Sequence, residues 1–248
     1  MKIHQFLDAT YLKTAKQAAI TEEENLQNVI KLAEEAIAHN YKLIMIRSNY
    51  ISTVRKMLIA AKSTVLIGTV IDFPNGNSTL EKKLTEAQKA INLAADELDF
   101  VINYTAFKEG NVALIKNEVI SCVALCLKNN KVAKFIIEVA ALSNEEIIVI
   151  SQLVKQVVLD TYGEENAKHV FVKSSTGFFK TENNKPNGAT LESIKLISEN
   201  AKPLKIKAAG GVRDYGMAIK MISLGVDRIG TSSSKEIINK EQNLNQGY

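Results

Sequence analysis

A chain of 248 residues, 46% apolar and 23% charged, holds enough apolar material for one large core, and its length alone also allows two small domains. The formal charge of +4 is small and the lysines are scattered, which argues against a nucleic-acid or membrane surface. No stretch approaches the roughly 20 apolar residues of a membrane span, and "MKIHQFLDATYLK", with Asp8 and no long apolar run, does not read as a signal peptide.

In chain order, the first predicted strand lies in "IHQFLDAT", and Thr21 ahead of "EEE" starts a helix. Strands follow in "YKLIMIRS" and "STVLIGTVIDF", then a helical segment in "TLEKKLTEAQKAINLAA" (79–95). "DELDFVINY" is the fourth strand. The helix-like "SCVALCLKN" and the strand "AKFIIEVAAL" come next, and Ser143 starts the helix "EEIIVISQLVKQVVLDTYG" (145–163). "KHVFVKSSTG", a helix from Thr190 in "TLESIKLISENA" (190–201), "PLKIKAAGG" and "VDRIGTSSS" complete the series.

Eight apolar strands alternating with amphipathic helices predict a parallel sheet covered by helices. Eight units in about 250 residues fit a closed (β/α)8 TIM barrel better than an open sheet, and no GxGxxG follows the first strand. The linkers are short, so one domain is expected over residues 1–236, with a polar tail over 237–248. Cys122 and Cys126 stand four apart in an apolar run without acid or histidine nearby, which reads as two buried free thiols and suits a cytoplasmic protein. His4, His39 and His169 are widely spaced, and none ends a strand, so no metal site is expected.

The active site of such a barrel lies where the C-terminal strand ends converge. Those ends offer Asp8, Thr10, Asp72, Asp99, Asn103, Glu138, Lys173, Lys207, Ser232 and Ser233. Lys173 and Lys207 fall late in neighbouring strands. Crowding and a low-dielectric interior both favour loss of a proton from such a pair, and a neutral amine can attack a carbonyl to form a Schiff base. Asp99, inside an apolar strand, needs a partner. It pairs with Lys207 to stabilise the barrel, or the two relay protons at the reacting carbon. Asp8 completes that network or caps a turn. Glycine loops after strands six, seven and eight, with Thr176, Gly177, Gly210, Gly211, Ser232 and Ser233, suit a phosphate. Arg213 pairs with that phosphate or caps the rim.

"DFPNGN", "ADELDFVIN", "FVKSSTG", "KIKAAGGVR" and "IGTSS" occur in an order and spacing that resembles the deoxyribose-phosphate aldolases, a family of class I aldolases. The likeness runs from "LDATYLK" to "GTSS". It implies a (β/α)8 barrel that reversibly cleaves 2-deoxy-D-ribose 5-phosphate to acetaldehyde and D-glyceraldehyde 3-phosphate. By motif position, Lys173 is then the Schiff-base lysine, Lys207 its perturbing neighbour, Asp99 the proton-transfer carboxylate and Asp8 the first-strand aspartate. The "STG", "GG" and "GTSS" loops hold the phosphate. The family implies no metal or organic cofactor, and its members are often homodimers.

Departures from the family pattern fall at the first two strands. "LIMIRSN" stands where "VCVNP" is usual, so Met45 replaces a common cysteine and Arg47–Ser48 the usual Asn–Pro pair; the first motif reads Asp-Ala-Thr, where histidine is frequent in the middle. These changes bear on pocket shape and substrate range. Some members end in a tyrosine that reaches the active site, so Tyr248 either assists proton transfer or closes a disordered end. Two other readings stay open: a phosphosugar isomerase or epimerase in which Lys173 only binds phosphate, and a non-catalytic sugar-phosphate-binding barrel.

Overall fold

The computed structural model describes residues 2–182 and 185–239. The predicted runs become β1 (Leu7–Tyr11), β2 (Leu43–Ile46), β3 (Leu66–Ile71), β4 (Glu97–Val101), β5 (Val132–Ile136), β6 (Val170–Lys173), β7 (Lys205–Ala209) and β8 (Arg228–Thr231). All pair in parallel with their sequence neighbours, and β8 returns to β1, closing the barrel. The helices between them are α1 (Ala15–Ala18), α2 (Glu22–His39), α3 (Ile51–Ala60), α4 (Leu80–Asn92), α5 (Tyr104–Lys108), α6 (Val112–Lys128), α7 (Asn144–Tyr162), α8 (Leu191–Ala201), α9 (Tyr215–Ser223) and α10 (Ser234–Ile238).

Helix starts follow local chemistry. Thr21, Ser143 and Thr190 each close a capping box on the backbone three residues on, satisfying N–H groups that the first turn leaves unpaired. The strands alternate: Leu7, Ala9, Ile44, Ile46, Ile67, Ile71, Leu98 and Phe100 pack outwards in the main core with the helices. The other parity faces the barrel axis. There, β2 and β3 contribute a small apolar cluster of Leu43, Met45 and Val70 with Leu12. The remaining strands contribute buried charge instead: Asp8, Glu97, Asp99, Lys134, Lys173, Lys207 and Arg228. The inside of the barrel is therefore split into an apolar side and an ionic side.

A second buried ion cluster ties helices to the barrel wall. Lys83 of α4 donates to the carbonyls of Gly76 (2.9 Å) and Val101 (2.8 Å) and pairs with Glu118 of α6. Asp72 belongs here rather than at the active-site mouth: it lies 3.4 Å from Lys83, and its carboxylate accepts from the Ser78 N–H. Asn103 is likewise spent on structure, capping α5 through the Ala106 N–H.

Cys122 and Cys126 are buried in α6 as free thiols, and burial pushes both up, Cys126 to about 12. The chain continues ordered past residue 236, since α10 runs to Ile238 with Ile237 fully buried. Tyr248 and the end of the predicted tail lie outside the described residues. Among the described residues, no helix is long and apolar enough to cross a membrane.

Candidate active site

Strand register brings the predicted residues together. Lys173 lies beside Lys207 across β6 and β7, and Asp99 lies beside Lys134 across β4 and β5. The ammonium of Lys173 is 2.9 Å from Asp99 Oδ2, and that of Lys207 is 2.8 Å from the same oxygen. Lys207 also pairs with Asp8 Oδ2 at 2.6 Å. The Asp99–Lys207 ion pair is thus present, and its carboxylate also touches Lys173. Asp8 carries an ion pair on each oxygen, Arg228 at 2.6 Å being the second, so its carboxylate joins the network rather than capping a turn.

Three members went unread in the sequence. Lys134 reaches Asp99 Oδ1 at 2.8 Å and Glu97 at 2.6 Å, and Arg228 bridges Asp8 and Glu97. A period of two carried part of the signal, because Glu97 and Asp99 necessarily share a strand face. Nothing local distinguishes Lys134 or Arg228 from an ordinary solvated strand cation.

Charge sets the protonation states. Burial pushes the Lys173 ammonium down, the Asp99 carboxylate opposes this, and Lys207 and Lys134 add to it, leaving the amine at about 8. The largest cause is thus desolvation, with the neighbouring amine behind it. Burial also works against ionised Asp99, but Lys134, Lys173 and Lys207 outweigh it and hold the acid well below its ordinary range. For Asp8, burial is outweighed by Arg228, Lys207 and Lys134, and the acid falls to about 2. Lys134 is raised: its burial is overcome by Asp99, Glu97 and Asp8.

Lys173 sits at the floor of a cleft whose walls differ. On one side, Thr176, Gly177, Gly210, Gly211, Arg213 and Ser232 line it. Gly210 and Gly211 hold φ of +77° and +84°, conformations natural to glycine, and Gly188 packs so closely that a Cβ there would overlap the Gly210 backbone. Asn187, also unread in the sequence, lines the cleft and donates to the Gly177 carbonyl at 3.1 Å. Ser233 is buried behind this wall, with its N–H on the Thr231 hydroxyl at 3.0 Å.

Leu12 lines the cleft and belongs to the apolar cluster with Met45 and Val70, against which Phe73 and Phe178 pack edge to face. Arg47 lies over the Phe73 ring at 4.9 Å and donates to the Leu12 carbonyl at 2.9 Å. The two departures in the second strand thus shape the apolar side and leave the ionic cluster untouched. Glu138, at the end of β5, accepts from the hydroxyl and N–H of Thr176 and so ties down the loop after Lys173.

A buried amine that can shed its proton near neutrality, a carboxylate shared with a second amine, and glycine loops that line the cleft above them fit a Schiff-base aldolase barrel, class I. The chain belongs to the DeoC/LacD family of aldolases, whose family model matches residues 6–223. It is 34% identical over 244 residues to a deoxyribose-phosphate aldolase of Thermococcus gammatolerans, covering 98% of each chain. It is 36% identical over 239 residues to one of Metamycoplasma arthritidis, covering 96% of this chain and 97% of the relative. Among solved structures, a tetrameric deoxyribose phosphate aldolase from Aeropyrum pernix superposes with a TM-score of 0.75 at 25% identity, over 96% of this chain and 89% of that one.

Proposed function

We propose that the protein cleaves 2-deoxy-D-ribose 5-phosphate reversibly to acetaldehyde and D-glyceraldehyde 3-phosphate, with Lys173 as the Schiff-base nucleophile. The observation that carries this reading is the Lys173 amine, 2.9 Å from Asp99 at the floor of a cleft with a glycine-lined rim. The neutral amine adds to the C1 aldehyde, and loss of water leaves a protonated imine. A base takes the proton of the C3 hydroxyl, the C2–C3 bond breaks, and its electron pair flows into the imine as an enamine. D-Glyceraldehyde 3-phosphate leaves; a proton then returns to C2, and water releases acetaldehyde from Lys173. Asp99 and Lys207, in contact at 2.8 Å, pass those protons. The phosphate rests on Gly177, Gly210, Gly211 and Ser232.

Acetaldehyde plus borohydride is expected to leave an ethyl group on the peptide carrying Lys173, found by mass spectrometry, and Lys173→Leu is expected to abolish it. A label on another lysine, or none during turnover, would overturn the assignment. The same reading carries a cytoplasmic location, supported by the two buried free thiols, and a homodimer, tested by light scattering.

A further inference from the structure

Among the described residues, the ion cluster on the barrel axis contains three carboxylates (Asp8, Glu97, Asp99) and four cations (Lys134, Lys173, Lys207, Arg228), joined by direct ion pairs. With every group ionised it carries one excess positive charge, in a region where an unbalanced charge is costly. Losing one proton makes it neutral. The cations are not equally held. Lys134 touches three carboxylates, Lys207 touches Asp8 and Asp99, and Arg228 touches Asp8 and Glu97. Among the described residues, Lys173 pairs with Asp99 alone, and on an oxygen it shares with Lys207. Asp99's other oxygen is occupied by Lys134.

Building on the functional reading above, we propose that Lys134 and Glu97, which do not line the cleft, are positioning residues that select which lysine becomes the free amine. Lys134 does so by holding Asp99 Oδ1, which confines Lys173 and Lys207 to Oδ2. Glu97, with Arg228 across the axis, anchors Lys134 in that place.

The other charged groups around Lys173 are constant in the comparison this suggests. Glu138 beyond β5 is engaged by Thr176, Arg213 lines the rim after β7, and Arg47 beyond β2 bonds the Leu12 carbonyl; β2 and β3 themselves present Met45 and Val70.

The two residues predict opposite effects. Lys134→Met removes the excess charge and frees Asp99 Oδ1 for Lys173, so the amine keeps its proton to higher pH. Glu97→Gln adds to the excess and lets Lys134 draw harder on Asp99, so Lys173 loses its proton at lower pH. The test is the initial rate of Lys173 labelling by acetaldehyde and cyanoborohydride between about pH 6 and 10, with circular dichroism to confirm folding. The midpoint is expected to move up by about one unit in Lys134→Met and down in Glu97→Gln, a shift typical of one nearby charge. If Lys134→Met does not fold, the nearly isosteric Glu97→Gln carries the test alone. Label on wild-type Lys173 with unmoved midpoints, or midpoints moving in the same direction, would overturn the inference while the functional reading stands. Absence of label on wild-type Lys173 would overturn both.

Discussion

Lys173 combines two properties that ordinarily conflict, a polar amine and near-complete burial. The conflict is relieved by proton loss, with a consequence for stability. Its folded value of about 8 lies below the ordinary 10.5, so between those values the unfolded chain binds a proton that the folded chain has given up. The cost of burying Lys173 is therefore full below about pH 8 and is relieved as pH rises through that window, so stability rises with pH there. At pH 7 the folded protein carries the ammonium at a desolvation cost, and Lys173→Leu removes it while Asp99 keeps Lys134 and Lys207. We expect that variant to lose all aldol cleavage and to keep a thermal midpoint at or above wild type, since apolar replacement of a buried charge is often neutral or stabilising. Asp99→Asn should behave differently. It deprives three cations of their shared anion, and a loss of about 3–5 kcal/mol in urea unfolding is expected alongside loss of activity.

Among the elements, the loops after β6 and β7 work as one unit, because the chain at Gly188 lies directly on Gly210 and the Ala189 N–H reaches the Ala209 and Gly210 carbonyls. Gly188→Ala must push the two loops apart. The expected result is a rise of about tenfold in KM for the phosphorylated substrate, the equivalent of one or two lost hydrogen bonds, with acetaldehyde labelling of Lys173 unchanged. Steady-state kinetics beside the labelling assay checks both halves. On the outer wall, Lys83 clamps α4 to α6 and to the end of β4. Lys83→Met would leave Glu118 buried and unpaired, with an expected cost of about 3–5 kcal/mol in urea unfolding and little effect on the labelling midpoint of Lys173.

For the molecule as a whole, the buried carboxylates on the axis set the acid limit. Asp8 falls from the ordinary 3.8 to about 2 on folding, and Asp99 falls well below 3.8. Their stabilising contribution is present above the ordinary value and is lost as pH drops through the folded one, so cooperative unfolding is expected between about pH 4 and 2. Far-UV circular dichroism against pH measures it, and Asp8→Asn should flatten the dependence in that range.

Much of this was legible in the chain itself. Eight apolar runs at barrel spacing, three helix caps, two late-strand lysines and the glycine loops are local patterns, because period, capping and turn chemistry act over a few residues. Asp72 and Asn103 show the limit of that locality: both stand past strand ends, yet one serves the Lys83 cluster and the other caps α5. Glu97, Lys134 and Arg228 show it more strongly. Glu97 and Arg228 look like ordinary charges at the start of a strand and Lys134 like one within it, and only closure of β8 onto β1, with the register it imposes, turns them onto one axis. The sequence by itself determined which residues could supply an amine, an acid and an anion cradle. Tertiary structure decided which carboxylate each cation touches and so which amine is free, because Coulomb interactions in a buried site depend on separations that residues up to 220 positions apart acquire only on folding.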